Sequence, residues 1–160
     1  GLNLFKNYFG FTSLTAIAPN YTWSHRQENL LKNKGILSKQ GMLRQRIVNG
    51  SEKPYTYAYC FTRNTIQLAY QRRNVFFEPS QNKIKDDVDT ALNRIKISFN
   101  TGKPAIISSH RVNFIGGLNE KNRDDNIILF KDLLKKIVKK WPDVMFLNAA
   151  DLAKKMIKND

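Results

Sequence analysis

The chain has 160 residues, of which 27 are Lys or Arg and 13 are Asp or Glu, for a formal net charge of +14. Its hydrophobic fraction of 41% lies just under the ~45–50% of ordinary soluble domains, which argues against a disordered chain. No run of 18 apolar residues is present to span a membrane, and the single Cys60 excludes an intrachain disulfide or a cysteine-based metal cluster.

In chain order, the first segment, "GLNLFKNYF", is apolar and aromatic without a clear period. "SLTAIAPN" (13–20) reads as a short buried strand ending at Pro19. Ser24 with Gln27 three residues later is a capping-box pattern and predicts a helix over 24–34, closed by Gly35 at the left-handed C′ position. A short strand is expected near Leu37–Gln40. "YTYAYCFT" (55–62) sets Tyr55, Tyr57, Tyr59 and Phe61 on alternate positions, which predicts a strand with one aromatic face. "EPSQN" (78–82) reads as a turn, with Glu78 expected in a structural ion pair with Arg73.

The second half has stronger periods. Val88, Ala91, Leu92, Ile95 and Phe99 form one helical stripe, and the acidic run "DDVD" (86–89) suits the helix start. A strand is expected at 105–109. The polar loop "RVNFIGGLNEKNRDD" then leads to a second helix with the stripe Ile127, Phe130, Leu134, Ile137, Val138 and Trp141. "VMFL" (144–147) reads as a buried strand, and Asn148 as the cap of a last helix over 149–158. Strands alternating with helices predict βαβ units and mostly parallel pairing.

In such folds reactive groups gather at the C-terminal ends of strands. His110 stands there, one residue past its strand, with Arg111, Asn113 and Arg123 on the same loop. A histidine so placed can serve as a general acid or base near neutral pH. The alternative is a strand-end histidine bonded to a loop carbonyl. A second cluster, Asn20, Tyr21 and Trp23, follows the first strand and combines hydrogen-bonding groups with aromatic faces that suit sugar rings or a core. The other histidine, His25, is expected in solvent. The histidines lack the spacing of a metal site, so no metal ligands are assigned in this chain.

"KPAIISSHRVNFIG", "NRDDN" and "LLKKIVKKWPDVMFLNAADL", with "RNVFFEPS" and "IAPNYTW" upstream, resemble the C-terminal half of a polysaccharide deacetylase-like (carbohydrate esterase) domain of the Bacteroides and Flavobacterium type. The resemblance implies an α/β fold, a partial, distorted (β/α) barrel with mostly parallel strands. It implies one domain over 1–160, the C-terminal portion of the catalytic domain. It also implies that His110 is the catalytic general acid, that Asn20, Tyr21, Trp23, Arg111, Asn113 and Arg123 contact the substrate, and that the complete domain holds zinc. Ile17 and Asn20 stand where the family's middle motif has arginine and tyrosine. No stretch resembles the family's early metal-binding motifs.

The function expected is a portion of a metal-dependent hydrolase acting on acetylated sugars, inactive as this chain alone. The alternatives are a non-catalytic carbohydrate-binding or scaffold domain and, less favoured for want of any nucleic-acid motif, a basic nucleic-acid-binding module. A polysaccharide or oligosaccharide is the expected partner, and the family suggests the cell envelope or extracytoplasmic space. About four β/α units cannot close a barrel that takes ~250 residues. An open sheet edge is therefore expected, either paired with a second chain or the missing N-terminal half, or covered by residues 1–11.

Overall fold

The computed structural model describes residues 1–24, 26–48, 55–59, 68–81 and 87–158. In chain order its helices and strands are α1 (Leu2–Phe9), β1 (Thr15–Ile17), α2 (Arg26–Asn33), β2 (Ser38–Gly41), β3 (Arg44–Val48), β4 (Tyr55–Tyr59), β5 (Ala69–Arg72), β6 (Val75–Phe76), α3 (Asp87–Asn100), β7 (Ile107–Ser108), α4 (Glu120–Lys140) and α5 (Ala149–Lys158). The fold is mixed α/β with a small parallel sheet and flanking helices, and the described strands close no barrel. No described helix is long and apolar enough to cross a membrane. The chain divides into two compact units, 1–72 with 147–160, and 73–146.

In the first unit β1, β2 and β5 form a parallel sheet with β2 in the centre, registered Thr15↔Ser38 and Ser38↔Ala69. Helix α2 lies between β1 and β2 in sequence, so β1–α2–β2 is the expected βαβ unit. The capping box forms: Ser24 N–H donates to Gln27 Oε1 at 3.2 Å, and Ser24 Oγ accepts the Arg26 N–H at 3.3 Å. Gly35 follows with φ 82°, a conformation costly for any side chain. Helix α5 lies against β5 and β1, and Gln71 Nε2 donates to the Ala149 carbonyl at 2.6 Å. Asn148 caps α5, accepting the Asp151 N–H at 2.9 Å. Strands β3 and β4 pair antiparallel, with Arg44 opposite Tyr59 and Arg46 opposite Tyr57.

The second unit is one βαβ unit with a further helix. Strands β6 and β7 are parallel, joined through α3. Val75 and Phe77 pack with Val88, Ala91, Leu92 and Ile95 of α3 and Leu133 and Ile137 of α4, all buried. Asn74 extends the sheet, accepting the Ile106 N–H at 2.7 Å and donating to the Pro104 carbonyl at 2.9 Å.

Four local expectations are corrected. The first segment is helical, and α1 leaves Leu4, Tyr8, Phe9 and Phe11 exposed, so it does not bury them against a sheet edge. The strand expected at 105–109 is cut to two residues. "VMFL" (144–147) forms no strand among the described residues, and Met145, Phe146 and Leu147 are exposed. Helix α4 begins at Glu120 inside the expected loop, capped by Asn119 Oδ1. Its buried side runs through Asn126, Leu133 and Ile137, leaving Val138 exposed. Phe130, Ile137 and Trp141 of the expected stripe do pack on the core, while Leu133 takes the fully buried place expected of Leu134, because apolar residues at 133 and 134, or 137 and 138, offer two helical faces about 100° apart.

Candidate functional site

Parallel pairing builds the site in the second unit. The register sets Val75 opposite Ile107 and Phe76 opposite Ser108. The pairing continues one step, with the Phe77 N–H donating to the Ser108 carbonyl at 3.0 Å. Glu78 and His110 each lie two residues beyond paired partners. Because parallel strands bring their C-terminal ends to one side, the two residues meet.

The Glu78 carboxylate is buried and holds three hydrogens. Its Oε1 lies 2.7 Å from His110 Nδ1. Its Oε2 accepts the His110 backbone N–H at 3.1 Å and Asn113 Nδ2 at 2.7 Å. An ionised carboxylate only accepts, so Nδ1 must carry the proton in this contact. The tautomer is thereby set, and Nε2 is left as an acceptor in the neutral ring or a donor in the imidazolium. The imidazole side is 61% exposed, against 11% for the Glu78 side chain. A buried carboxylate that orients an exposed imidazole is the arrangement of a proton-transfer dyad. The ion pair expected between Glu78 and Arg73 is replaced by this contact. Arg73 Nη1 instead lies 3.4 Å from Ser108 Oγ.

Behind the dyad lies a network of amides and hydroxyls. Asn113 is fully buried. Its Nδ2 also reaches Ser109 Oγ and the His110 carbonyl, and its Oδ1 accepts the Ser80 N–H at 3.0 Å. Asn126 Nδ2 donates to the Asn113 carbonyl at 2.9 Å and to Ser80 Oγ at 2.8 Å. Ser80 Oγ lies 2.7 Å from Asn122 Oδ1. These bonds tie the loop after β6 to the loop after β7 and to α4. Asn113→Ala is expected to destabilise the unit by about 1–3 kcal/mol, because it strips a donor from a buried carboxylate and an acceptor from Ser80. Urea unfolding checks this, and a loss below about 0.5 kcal/mol would contradict the network's role.

The other loop candidates are nearer solvent. Arg111 is exposed in the 3-10 turn Arg111–Phe114. Arg123 Nε donates to Asp124 Oδ1 at 2.8 Å, which raises the arginine above its usual range and holds the Asp124 carboxyl below its own. Its guanidinium also lies across Gly116, where a Cβ would come within 2.8 Å of Nη1.

Asn20, Tyr21 and Trp23 belong to the first unit. Trp23 is buried: its indole N–H donates to Glu28 Oε1 at 2.9 Å, and its ring lies 5.7 Å from that of Tyr70. Asn20 and Tyr21 line a cleft of about 490 Å³ with Met42, Leu43, Arg44 and Arg46. The two arginines are members of this cleft that sequence reading missed, and their alternation on a strand is the signal that could have found them. Glu78 was missed as His110's partner because the contact depends on strand register. His25 and Cys60 lie outside the described residues.

No three of His, Cys, Asp and Glu gather to hold a metal ion among the described residues. No family model, no curated protein and no solved structure matches the chain.

Proposed function

We propose that the chain is a portion of a polysaccharide deacetylase-like hydrolase on a partial, distorted (β/α) barrel, and that His110 handles the proton of the leaving group from an acetylated sugar. The observation that carries this reading is the Glu78–His110 contact with the imidazole open to solvent. As the acyl bond breaks, the imidazolium Nε2–H passes its proton to the departing sugar nitrogen or oxygen. Glu78 keeps Nδ1 protonated throughout and offsets the positive charge of the ring. The zinc implied by the resemblance belongs, on this reading, to the complete domain. The sheet edge is where the rest of that domain, or a second chain, would pair.

The test is acetate release from acetylated chito- and xylo-oligosaccharides by the full-length gene product with its metal restored. His110→Ala is expected to lower kcat by about 10²–10⁴-fold. Glu78→Gln is expected to cost about 10²-fold or more, because a carboxamide can donate to Nδ1 and shift the proton to Nε2. The 160-residue chain alone is expected to release no acetate. Unchanged turnover in His110→Ala would overturn the assignment. The cleft at Asn20 and Tyr21 favours a second reading, a carbohydrate-binding domain without catalysis. Saccharide binding with no acetate release from the full-length protein would establish it in place of the first.

A further inference from the structure

His110 is an exposed residue held in place from below. Its main-chain N–H donates to Glu78 Oε2 at 3.1 Å, and its Nδ1 lies 2.7 Å from Glu78 Oε1. Its carbonyl accepts the Asn113 main-chain N–H at 3.1 Å and Asn113 Nδ2 at 2.9 Å. Every one of these bonds ends on Glu78 or Asn113, both buried. The imidazole side is 61% exposed, so packing does little to orient the ring.

Local structure brings Asn113 there. The 3-10 turn Arg111–Phe114 starts directly after His110, and the bond from the Asn113 N–H to the His110 carbonyl folds the asparagine back beneath the histidine. Asn113 is fully buried, with no surface to offer a ligand. Its amide has one workable orientation. Oδ1 accepts the Ser80 N–H at 3.0 Å. Nδ2 faces three acceptors, Glu78 Oε2 at 2.7 Å, the His110 carbonyl at 2.9 Å and Ser109 Oγ at 3.1 Å. Turned over, the amide would set an oxygen against a buried carboxylate and its NH₂ against the Ser80 N–H. Two hydrogens cannot fully serve three acceptors, and the ionised carboxylate takes the shortest bond.

Glu78 Oε2 therefore holds two donors, while Oε1 has His110 Nδ1 as its one partner among the described residues. Without Asn113 Nδ2, Oε2 is left short of a donor in the interior, a state that favours rotation of the carboxylate. Nδ1 then loses the fixed acceptor that keeps its proton. We propose that Asn113 is the positioning residue of the dyad: by holding Glu78 Oε2 it presents Oε1 to His110 and sets the Nδ1–H tautomer. The proposal deepens the hydrolase reading at the same site, but its first test needs no substrate.

That test is a long-range nitrogen–proton correlation spectrum of the imidazole in the whole chain, at a pH where the ring is neutral. A His25→Gln background leaves His110 as the one histidine. The unmodified site is expected to carry the ring proton on Nδ1. Asn113→Ala should lower the ratio of Nδ1–H to Nε2–H at least about fivefold, the weight of one hydrogen bond. Asn113→Val, which lacks the donor but fills more of the space, gives the same reading where the alanine variant does not fold. Asn126→Ala is the control. It strips donors from the Asn113 carbonyl and Ser80 Oγ, so it loosens the same network, yet it should leave the ratio unchanged. A ring protonated on Nε2 in the unmodified site would overturn the proposal with no Asn113 variant at all. So would an unchanged ratio in a folded Asn113 variant, or an equal fall in Asn126→Ala, which would mark general loosening of the unit. In the full-length protein Asn113→Ala should lower kcat for acetate release about 10–100-fold with KM unchanged, whereas a raised KM at unchanged kcat would mark a substrate contact and overturn the proposal. The expected tautomer and its loss in Asn113→Ala, with no acetate release from the full-length protein, would remove the hydrolase reading and leave the positioning role standing.

Discussion

Phe77→Ala is expected to cost the 73–146 unit about 3–5 kcal/mol, a large part of the ~5–15 kcal/mol that holds a typical domain together. Phe77 is fully buried, and its ring centroid is 5.9 Å from that of Phe130 on α4. It sits where β6, α3 and α4 share one core, so truncation opens a cavity among elements whose backbones are fixed by the sheet and by α4. Its backbone N–H carries the last inter-strand bond before Glu78. Loss of packing there should loosen the dyad as well as the core. Each unit contains one tryptophan, Trp141 here and Trp23 in the other, so urea unfolding read through a Trp23→Phe background isolates the 73–146 unit. Phe77→Leu should fall between wild type and Phe77→Ala. An alanine variant within about 1 kcal/mol of wild type would mean that this core is not the one that stabilises the unit.

Lys39→Met is expected to be nearly as damaging to the other unit, by about 3–5 kcal/mol. Lys39 Nζ lies 2.6 Å from Glu28 Oε1, and the two side chains are only 5% and 6% exposed. The ammonium also sits 3.6 Å from the centroid of the Trp23 ring. Methionine keeps the length of the stem but removes the cation that faces a buried carboxylate. The diagnostic variant is the double change with Glu28→Gln, which should recover much of the loss because no ionised carboxylate then stays in the interior. If the double variant is no more stable than Lys39→Met, the lysine acts through its packing on Trp23, and the ion pair is incidental.

That pair also shows where sequence reading stops. The central strand β2 reads Ser-Lys-Gln-Gly, yet three of its four residues are buried. A buried parallel strand is expected to be apolar. Here Lys39 and Gln40 are satisfied by Glu28 and Thr15, 11 and 25 residues away, which no local pattern reveals. "VMFL" has the opposite history. An apolar run of four is equally consistent with strand, helix or neither, and only pairing decides. Helices α2, α3 and α5 were legible because their signals are local: a capping box, an apolar stripe, an Asn cap. Segment 1–9 was not, although Leu4, Phe5, Tyr8 and Phe9 share one helical face opposite Asn3, Lys6 and Asn7, because it spans little more than two turns and has no side-chain cap to mark its start. The site was half legible for the same reason. His110 could be singled out as a histidine at the end of an apolar run, whereas Glu78 acquires its meaning only when β6 and β7 align across 32 residues.

The shared offset of Glu78 and His110 from their strands has an evolutionary consequence. The Glu78–His110 contact is encoded in length as much as in identity. Apolar exchanges from Val75 to Phe77, and exchanges among small polar residues at Ser108 and Ser109, can accumulate while the two side chains still meet. A single inserted or deleted residue in either stretch cannot be absorbed in this way, because side chains alternate across a strand and one step turns the carboxylate or the imidazole to the opposite face. Descendants of this chain should therefore accumulate insertions in the connections of the unit and keep these two short intervals at constant spacing, even where little else of the sequence survives.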